Sequence, residues 1–312
     1  MSLYHKYRPN DLEGIIGNGD TVKSLKADLV KEDRPHALLF HGPTGCGKTT
    51  LGRIAANILG CGENDYHEID SADFRGIDTI RDIRRQSHFK PLQGKCSIWL
   101  IDECHKMTND AQNALLKALE DTPKHVFYIL ATTDPQKLIM TIKGRCSKYP
   151  VSALTQSEMM LLLRKVVRLE NETLPKPVYE QIIQDSLGYP RNALQILDQV
   201  LSVDVDSRLD TAKKYAEQQS QVIELCRSLL ARSGWKKIAN ILTGLSKEEP
   251  EGIRRAVLGY CNSVLLSEDN PRAYELLCWF EDPTYEIGWP GITKACYAAI
   301  KPRSSDNDDI PF

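Results

Sequence analysis

An α/β fold with a parallel sheet, followed by helical segments, is predicted by three observations. The apolar run Ala37 to His41 leads into a glycine-rich turn and then a helix-forming stretch; a second run, Ile98 to Ile101, ends in the acids Asp102 and Glu103; a third, from Val126, ends in Thr132 and Thr133. Continuous apolar runs of this length suit strands covered on both faces, and polar residues at their ends suit one rim of a doubly wound sheet.

Bulk properties limit the candidates. A chain of 312 residues suggests two or three compact units. No apolar run has the length of a membrane span, and "MSLYHKYRPN" has no apolar core of a signal peptide. The nine cysteines are scattered without a Cys-x-x-Cys pair, which reads as reduced thiols in a cytosol and makes a zinc site unexpected. With a net charge of −2, nucleic-acid binding would have to come from a local stripe of Lys and Arg.

The first strand ends in "HGPTGCGKTT", where Gly42, Pro43, Thr44, Gly45, Cys46, Gly47, Lys48 and Thr49 fit G-x-x-x-x-G-K-[ST]. Glycines let backbone N–H groups turn inward around phosphate oxygens, Lys48 brings a point charge to the outer phosphates, and Thr49 offers a hydroxyl to magnesium. Thr50 follows in the same site.

The second strand supplies the acids of an ATPase. Asp102 would hold Mg2+ through water and Glu103 would orient the attacking water, while two solvated acids at a helix start remain the alternative. At the third strand end, the hydroxyls of Thr132 and Thr133 could reach a phosphate or the lytic water, or serve local hydrogen bonding.

Several stretches together resemble the AAA+ ATPase subunits of sliding-clamp loaders. "KYRP" at Lys6 to Pro9 looks like the adenine-side motif of replication factor C small subunits, and "SADFRGIDTIR" and "MTNDAQNALLKALE" are similar to that group. "LATTDPQKL" from Leu130 resembles the bacterial DNA polymerase III gamma/tau subunit, "GRC" at Gly144 to Cys146 resembles a Ser-Arg-Cys motif, and "GYPRNALQILDQ" from Gly188 resembles the sensor 2 helix. The four-cysteine zinc module of bacterial gamma/tau subunits is absent after Cys61, Gly144 stands where serine is usual, and contacts of a tau-type extension are not expected.

The resemblance implies an AAA+ P-loop NTPase fold with ATP and Mg2+ as cofactors. Tyr7, Arg8, Pro9 and Ile16 would flank the base, and Arg191 would reach the nucleotide in cis. Arg145, placed on the connection from strand to lid, would face a neighbour's phosphates as an arginine finger, a role worth ~10³ to 10⁵ in rate. Arg75 and Gly76 precede a helix whose N–H groups can meet a DNA phosphate, and Arg81 continues the charge, although Asp78 and Asp82 dilute it into what could be a solvated face. Thr108 and Asn109 are a second DNA candidate or else helix caps, with Asn109 expected to cap "DAQNALLKALE". By resemblance, Gln112 would couple DNA contact to the ATP site.

The expected organisation is an AAA+ domain over 1–152, a helical lid over 153–205, an all-helical collar over 206–301 and an acidic tail over 302–312. The lid opens on a Ser/Thr-x-x-Glu capping pattern at Thr155. In the collar, Trp235, Trp279 and Trp289 would pack between subunits or fill its own core. The last residues, with Asp308, Asp309, Ile310, Pro311 and Phe312, resemble the tip of bacterial single-stranded-DNA-binding proteins; Phe312 would offer a ring and a terminal carboxylate to a pocket that normally reads that tip.

The function expected is that of a clamp-loader subunit. It would hydrolyse ATP under stimulation by DNA and clamp, in a pentameric assembly that loads a sliding clamp onto primer-template DNA in the cytoplasm of a bacterial or phage-infected cell. A subunit that binds nucleotide without turnover, and another AAA+ nucleic-acid motor such as a branch-migration helicase, are the alternatives.

Overall fold

The computed structural model describes residues 1–71, 73–74, 76–212, 221–246, 248–267, 269–284 and 287–301. Arg75 and the tail 302–312, with Asp308 to Phe312, lie outside the described residues. The chain divides into two compact units, one of residues 1–166 with 189–194 and one of 167–188 with 195–312. The expected lid, 153–205, is therefore shared between them.

The first unit is built on five strands, β1 (Ala37–His41), β2 (Cys61–Asp70), β3 (Cys96–Asp102), β4 (Val126–Thr132) and β5 (Ser147–Pro150). All pairings are parallel and the order is β2-β3-β4-β1-β5. The expected sheet is present, with β2 and β5 added at its two edges. Its helices are α1 (Leu3–Lys6), α2 (Gly19–Leu29), α3 (Lys48–Leu59), α4 (Ile77–Ser87), α5 (Asn109–Glu120), α6 (Met140–Arg145) and the start of α7 (Gln156–Leu169).

Alternation along the strands explains why both faces are covered. Leu38, Phe40, Ile98, Leu100, Phe127 and Ile129 face one core with Leu25 and Leu29 of α2 and Leu51 and Ile54 of α3. Their neighbours Leu39, Trp99, Ile101, Tyr128 and Leu130 face the other, against Ile80 and Ile83 of α4, Leu115 of α5 and Ile142 of α6. Near the sheet edge, the buried Asp65 accepts backbone N–H bonds from Leu92 at 2.6 Å, Gln93 at 2.9 Å and Gly94 at 2.7 Å, which fixes the loop entering β3. The Thr155 pattern closes as a reciprocal capping box: Glu158 N–H donates to Thr155 Oγ1 at 3.3 Å, and Thr155 N–H donates to Glu158 Oε2 at 2.8 Å.

The second unit is helical where described, with helices over Lys176–Ser186, Gln221–Leu230, Trp235–Gly244, Pro250–Ser267, Pro271–Trp279 and Trp289–Ile300. Glu251 is one of its buried polar centres. This carboxylate accepts from Arg254 Nη2 at 2.7 Å and Nε at 2.9 Å, and from the Thr284 N–H and hydroxyl at 3.0 Å each. The tryptophans take two roles: Trp235 meets Tyr297 edge-on, whereas Trp279 is exposed. Among the described residues, no helix is long and apolar enough to cross a membrane.

Candidate nucleotide site

Glycines shape the turn between β1 and α3. A Cβ on Gly42 would lie 1.8 Å from the Val151 carbonyl oxygen, so only glycine lets this backbone pass. Gly45 and Gly47 follow with φ of 72° and 99°, and the turn then delivers the chain into α3. Lys48, first in that helix, is buried, and its Nζ donates to the carbonyls of Gly42 at 2.9 Å and Pro43 at 2.8 Å. Burial pulls its pKa down, against the opposing pull of Glu103 and Asp102. Cys46 beside it is neutral, its thiol pushed up to about 11 by burial.

The acids stand at the end of β3. Thr49 Oγ1 donates to Asp102 Oδ2 at 2.8 Å, and Asp102 Oδ1 accepts the Glu103 N–H at 2.8 Å. Glu103 has φ of 47°, a left-handed turn that ends the strand. Thr133 Oγ1 donates to Glu103 Oε2 at 3.1 Å. Thr132 differs: its buried hydroxyl accepts the Asp134 N–H at 3.0 Å and lies 3.1 Å from His105 Nδ1, so it serves local bonding. His105 is one site residue that sequence reasoning missed, as it missed Tyr4 and Leu154 in the cavity lining, and it also comes within 3.2 Å of Glu103 Oε2.

A cavity of about 360 Å³ opens over this turn. Thr44 to Thr50, Asp102 and Glu103 line it, together with Tyr7, Arg8, Pro9, Ile16 and Arg191. Gly42 and Pro43, expected among the binding residues, are outside the lining; they hold Lys48 instead. Arg191 begins a helix over Pro190–Leu201; its N–H donates to the Gly45 carbonyl at 3.3 Å and its guanidinium stands 5.9 Å from the Tyr4 ring centroid. The chemistry of this lining fits a nucleoside triphosphate with its cation: the glycine-rich turn from Thr44 to Gly47 and Lys48 for phosphates, Ile16 and Leu154 for a base, and two oxygen groups, Thr49 and Asp102, for magnesium.

The remaining site residues are spread over other elements. Gly76 precedes α4, and the arginines of that helix are paired with acids: Arg81 with Asp78 at 3.1 Å and Arg85 with Asp82 on the same helix, and Arg84 with Asp121 at the end of α5 at 3.4 Å. Thr108, not Asn109, caps α5, because its Oγ1 accepts the Ala111 N–H at 3.2 Å while Asn109 is already helical. Gln112 is buried; its Nε2 donates to the carbonyls of Met107 and Lys137, both at 3.3 Å, and its Oε1 accepts the Ile139 N–H at 2.9 Å. Arg145 does not stand on a strand-to-lid connection. It ends α6, which leads into β5, and its guanidinium pairs with Glu120 of α5 and donates to the Thr141 carbonyl at 3.1 Å.

Comparison with known proteins agrees with this geometry. The family described as DNA polymerase III, delta subunit, matches residues 63–155. The DNA polymerase III subunit gamma/tau of Mycobacterium tuberculosis is 33% identical over 232 residues, 67% of this chain and 40% of that protein. The DNA polymerase III subunit tau of Bacillus subtilis is 34% identical over 227 residues, covering 66% of this chain and 40% of that protein. Over this stretch the chain is a relative of the DNA polymerase III gamma/tau subunits. In both alignments it spans less than half of the relative's length. The structure of the Thermotoga maritima RuvB Holliday junction branch migration motor superposes with a TM-score of 0.60 at 21% identity, over 72% of this chain and 79% of that one, a likeness of fold.

Proposed function

We propose that this AAA+ chain is an ATP-dependent subunit of a sliding-clamp loader, which binds ATP with Mg2+, helps to open a clamp, and hydrolyses ATP once primer-template DNA is engaged. The observation that carries the ATPase part is the Thr49–Asp102 contact with Glu103 alongside it, a cation seat next to a water-orienting carboxylate on one wall of the cavity. Kinship with gamma/tau subunits supports the loader part.

In this reading Lys48 and the turn from Thr44 to Gly47 bind the phosphates, Tyr7 to Pro9 and Ile16 the base, and Thr133 and Arg191 the γ-phosphate side. Arg145 acts on a neighbouring subunit in a pentameric ring. The start of α4, with Arg75, Gly76 and Arg81, and the start of α5, with Thr108 and Asn109, follow the DNA backbone. The assembly works in the cytoplasm, and the acidic segment Asp308 to Phe312 serves as a docking peptide for a partner.

Two measurements test this. Glu103→Gln should keep ATP affinity while losing turnover by ~10² or more; turnover at the parental rate would remove the ATPase assignment. Co-purification with the clamp of the same genome, and ATPase that rises on adding clamp and primer-template DNA, are expected of a loader. An ATPase indifferent to both would remove the loader role alone.

A further inference from the structure

One oxygen of the Glu103 carboxylate has two side chains beside it, one of them hydrogen-bonded to it. Oε2 accepts from Thr133 Oγ1 at 3.1 Å and lies 3.2 Å from His105 Nδ1. The same Nδ1 lies 3.1 Å from Thr132 Oγ1. Glu103 is an acceptor only, so its approach to Nδ1 is attractive when that nitrogen carries a proton. Thr132 already accepts the Asp134 N–H at 3.0 Å and keeps its own hydroxyl proton to donate. With Nδ1 protonated, the ring can donate to Glu103 or to the second lone pair of Thr132; with Nδ1 bare, it can only accept from Thr132 and the carboxylate is released.

We propose that His105 is a positioning residue that donates Nδ1–H to Glu103 Oε2 and, with Thr133, fixes the carboxylate so that Oε1 meets the attacking water. An oxygen that accepts two donors is the poorer base, so the proton goes to Oε1. In the hydrolysis proposed above, on which this assignment rests, the water oxygen bonds to the γ-phosphorus as the bond to the ADP oxygen breaks, and one water proton passes to Oε1. A rigid base matters because catalysis depends on the geometry held before the reaction starts. The His105 side chain is only 11% exposed, and burial lowers its pKa, against an opposing pull from Glu103, which favours the neutral ring that a tautomer choice requires. Lys137, Asp134 and Lys106 are the other charged groups near it.

Steady-state kinetics of the full chain test the role. His105→Leu keeps much of the volume without a donor, and kcat should fall on the order of 10-fold, part of the ~10² to 10⁴ that a positioned base supplies, with KM for ATP nearly unchanged. His105→Asn restores an N–H close to the position of Nδ1 and should recover most of kcat. Equal kcat in His105→Leu and wild type, or no recovery in His105→Asn, overturns the proposal. Long-range nitrogen–proton correlation spectra decide it independently of turnover. Wild type should show His105 as the Nδ1–H tautomer, and Glu103→Ala should shift it to the Nε2–H form as Thr132 becomes the donor. An Nε2–H tautomer in wild type refutes the proposal, whereas absent ATPase with an Nδ1–H tautomer would count against the ATPase reading and leave the contact to Glu103 standing.

Discussion

The hydroxyl of Thr49 meets the carboxylate of Asp102 at 2.8 Å, joining the first turn of α3 to the tip of β3 across 53 residues. Two oxygen groups this close, facing a nucleotide-sized cavity, suit the proposed magnesium, whose shell water and phosphate would complete. Asp102→Asn should therefore lower ATP affinity in Mg2+ by at least 10-fold, the scale of about 1.4 kcal/mol, and change affinity in EDTA little. Calorimetric titration under both conditions checks it; an equal loss in both would mean that Asp102 only supports the fold.

Arg145 ends α6 paired with Glu120, on a helix that leads to β5. If it acts on a neighbour, mixing Arg145→Ala chains with Lys48→Ala chains should restore part of the ATPase. Rescue would occur at interfaces where an intact phosphate turn meets an intact arginine. No rescue in confirmed mixed oligomers would sink the trans arrangement.

Gln112 ties the beginning of α5 to the segment between β4 and α6 through the carbonyls of Met107 and Lys137 and the Ile139 N–H. Gln112→Leu keeps the bulk but strands three backbone groups, which should cost roughly 2–4 kcal/mol in denaturant melting. Hydrogen exchange should accelerate at Ile139 before it does in the β4 core. Unchanged exchange there would show that the segment holds itself.

Much of the nucleotide site was legible because it lies in contiguous motifs. Gly42 to Thr49 and Ile98 to Glu103 combine local chemistry with the apolar runs of buried strands. The edge strands were not legible. β2 is largely polar, with Glu63, Asn64, His67 and Glu68, and β5 is four residues long with Lys148 and Pro150, so neither shows the apolar run of a strand buried on both faces. His105 has no spacing signature; its partners Thr132 and Glu103 come together only when β3 and β4 pair. The cap of α5 was placed one residue late because Thr108 and Asn109 are both good caps and only backbone geometry separates them.

In the helical unit, Glu251 has a carboxyl pKa lowered to about 2 by its hydrogen bond to Arg254, with the Thr284 bonds adding to it against the cost of burial. A depressed acid contributes stability that is present above its unfolded value and is lost as pH falls toward its folded value. The contribution, ~3 kcal/mol by linkage, should therefore be present at pH 7 and fade between pH 4.5 and about 2. Glu251→Gln should be markedly less stable than wild type at neutral pH, with the gap closing in acid. A gap that is constant with pH would show that shape, not charge, makes the contact.

Among the described residues, the order β2-β3-β4-β1-β5 leaves the outer sides of β2 and β5 without a strand partner. Such rims can template sheet growth between molecules. Here one rim carries Glu63, His67 and Glu68, and the other is four residues long and closes on Pro150. Charges and brevity make both poor surfaces for an incoming chain. The sheet is thus a poor template for joining one folded copy to the next, even where copies are crowded together.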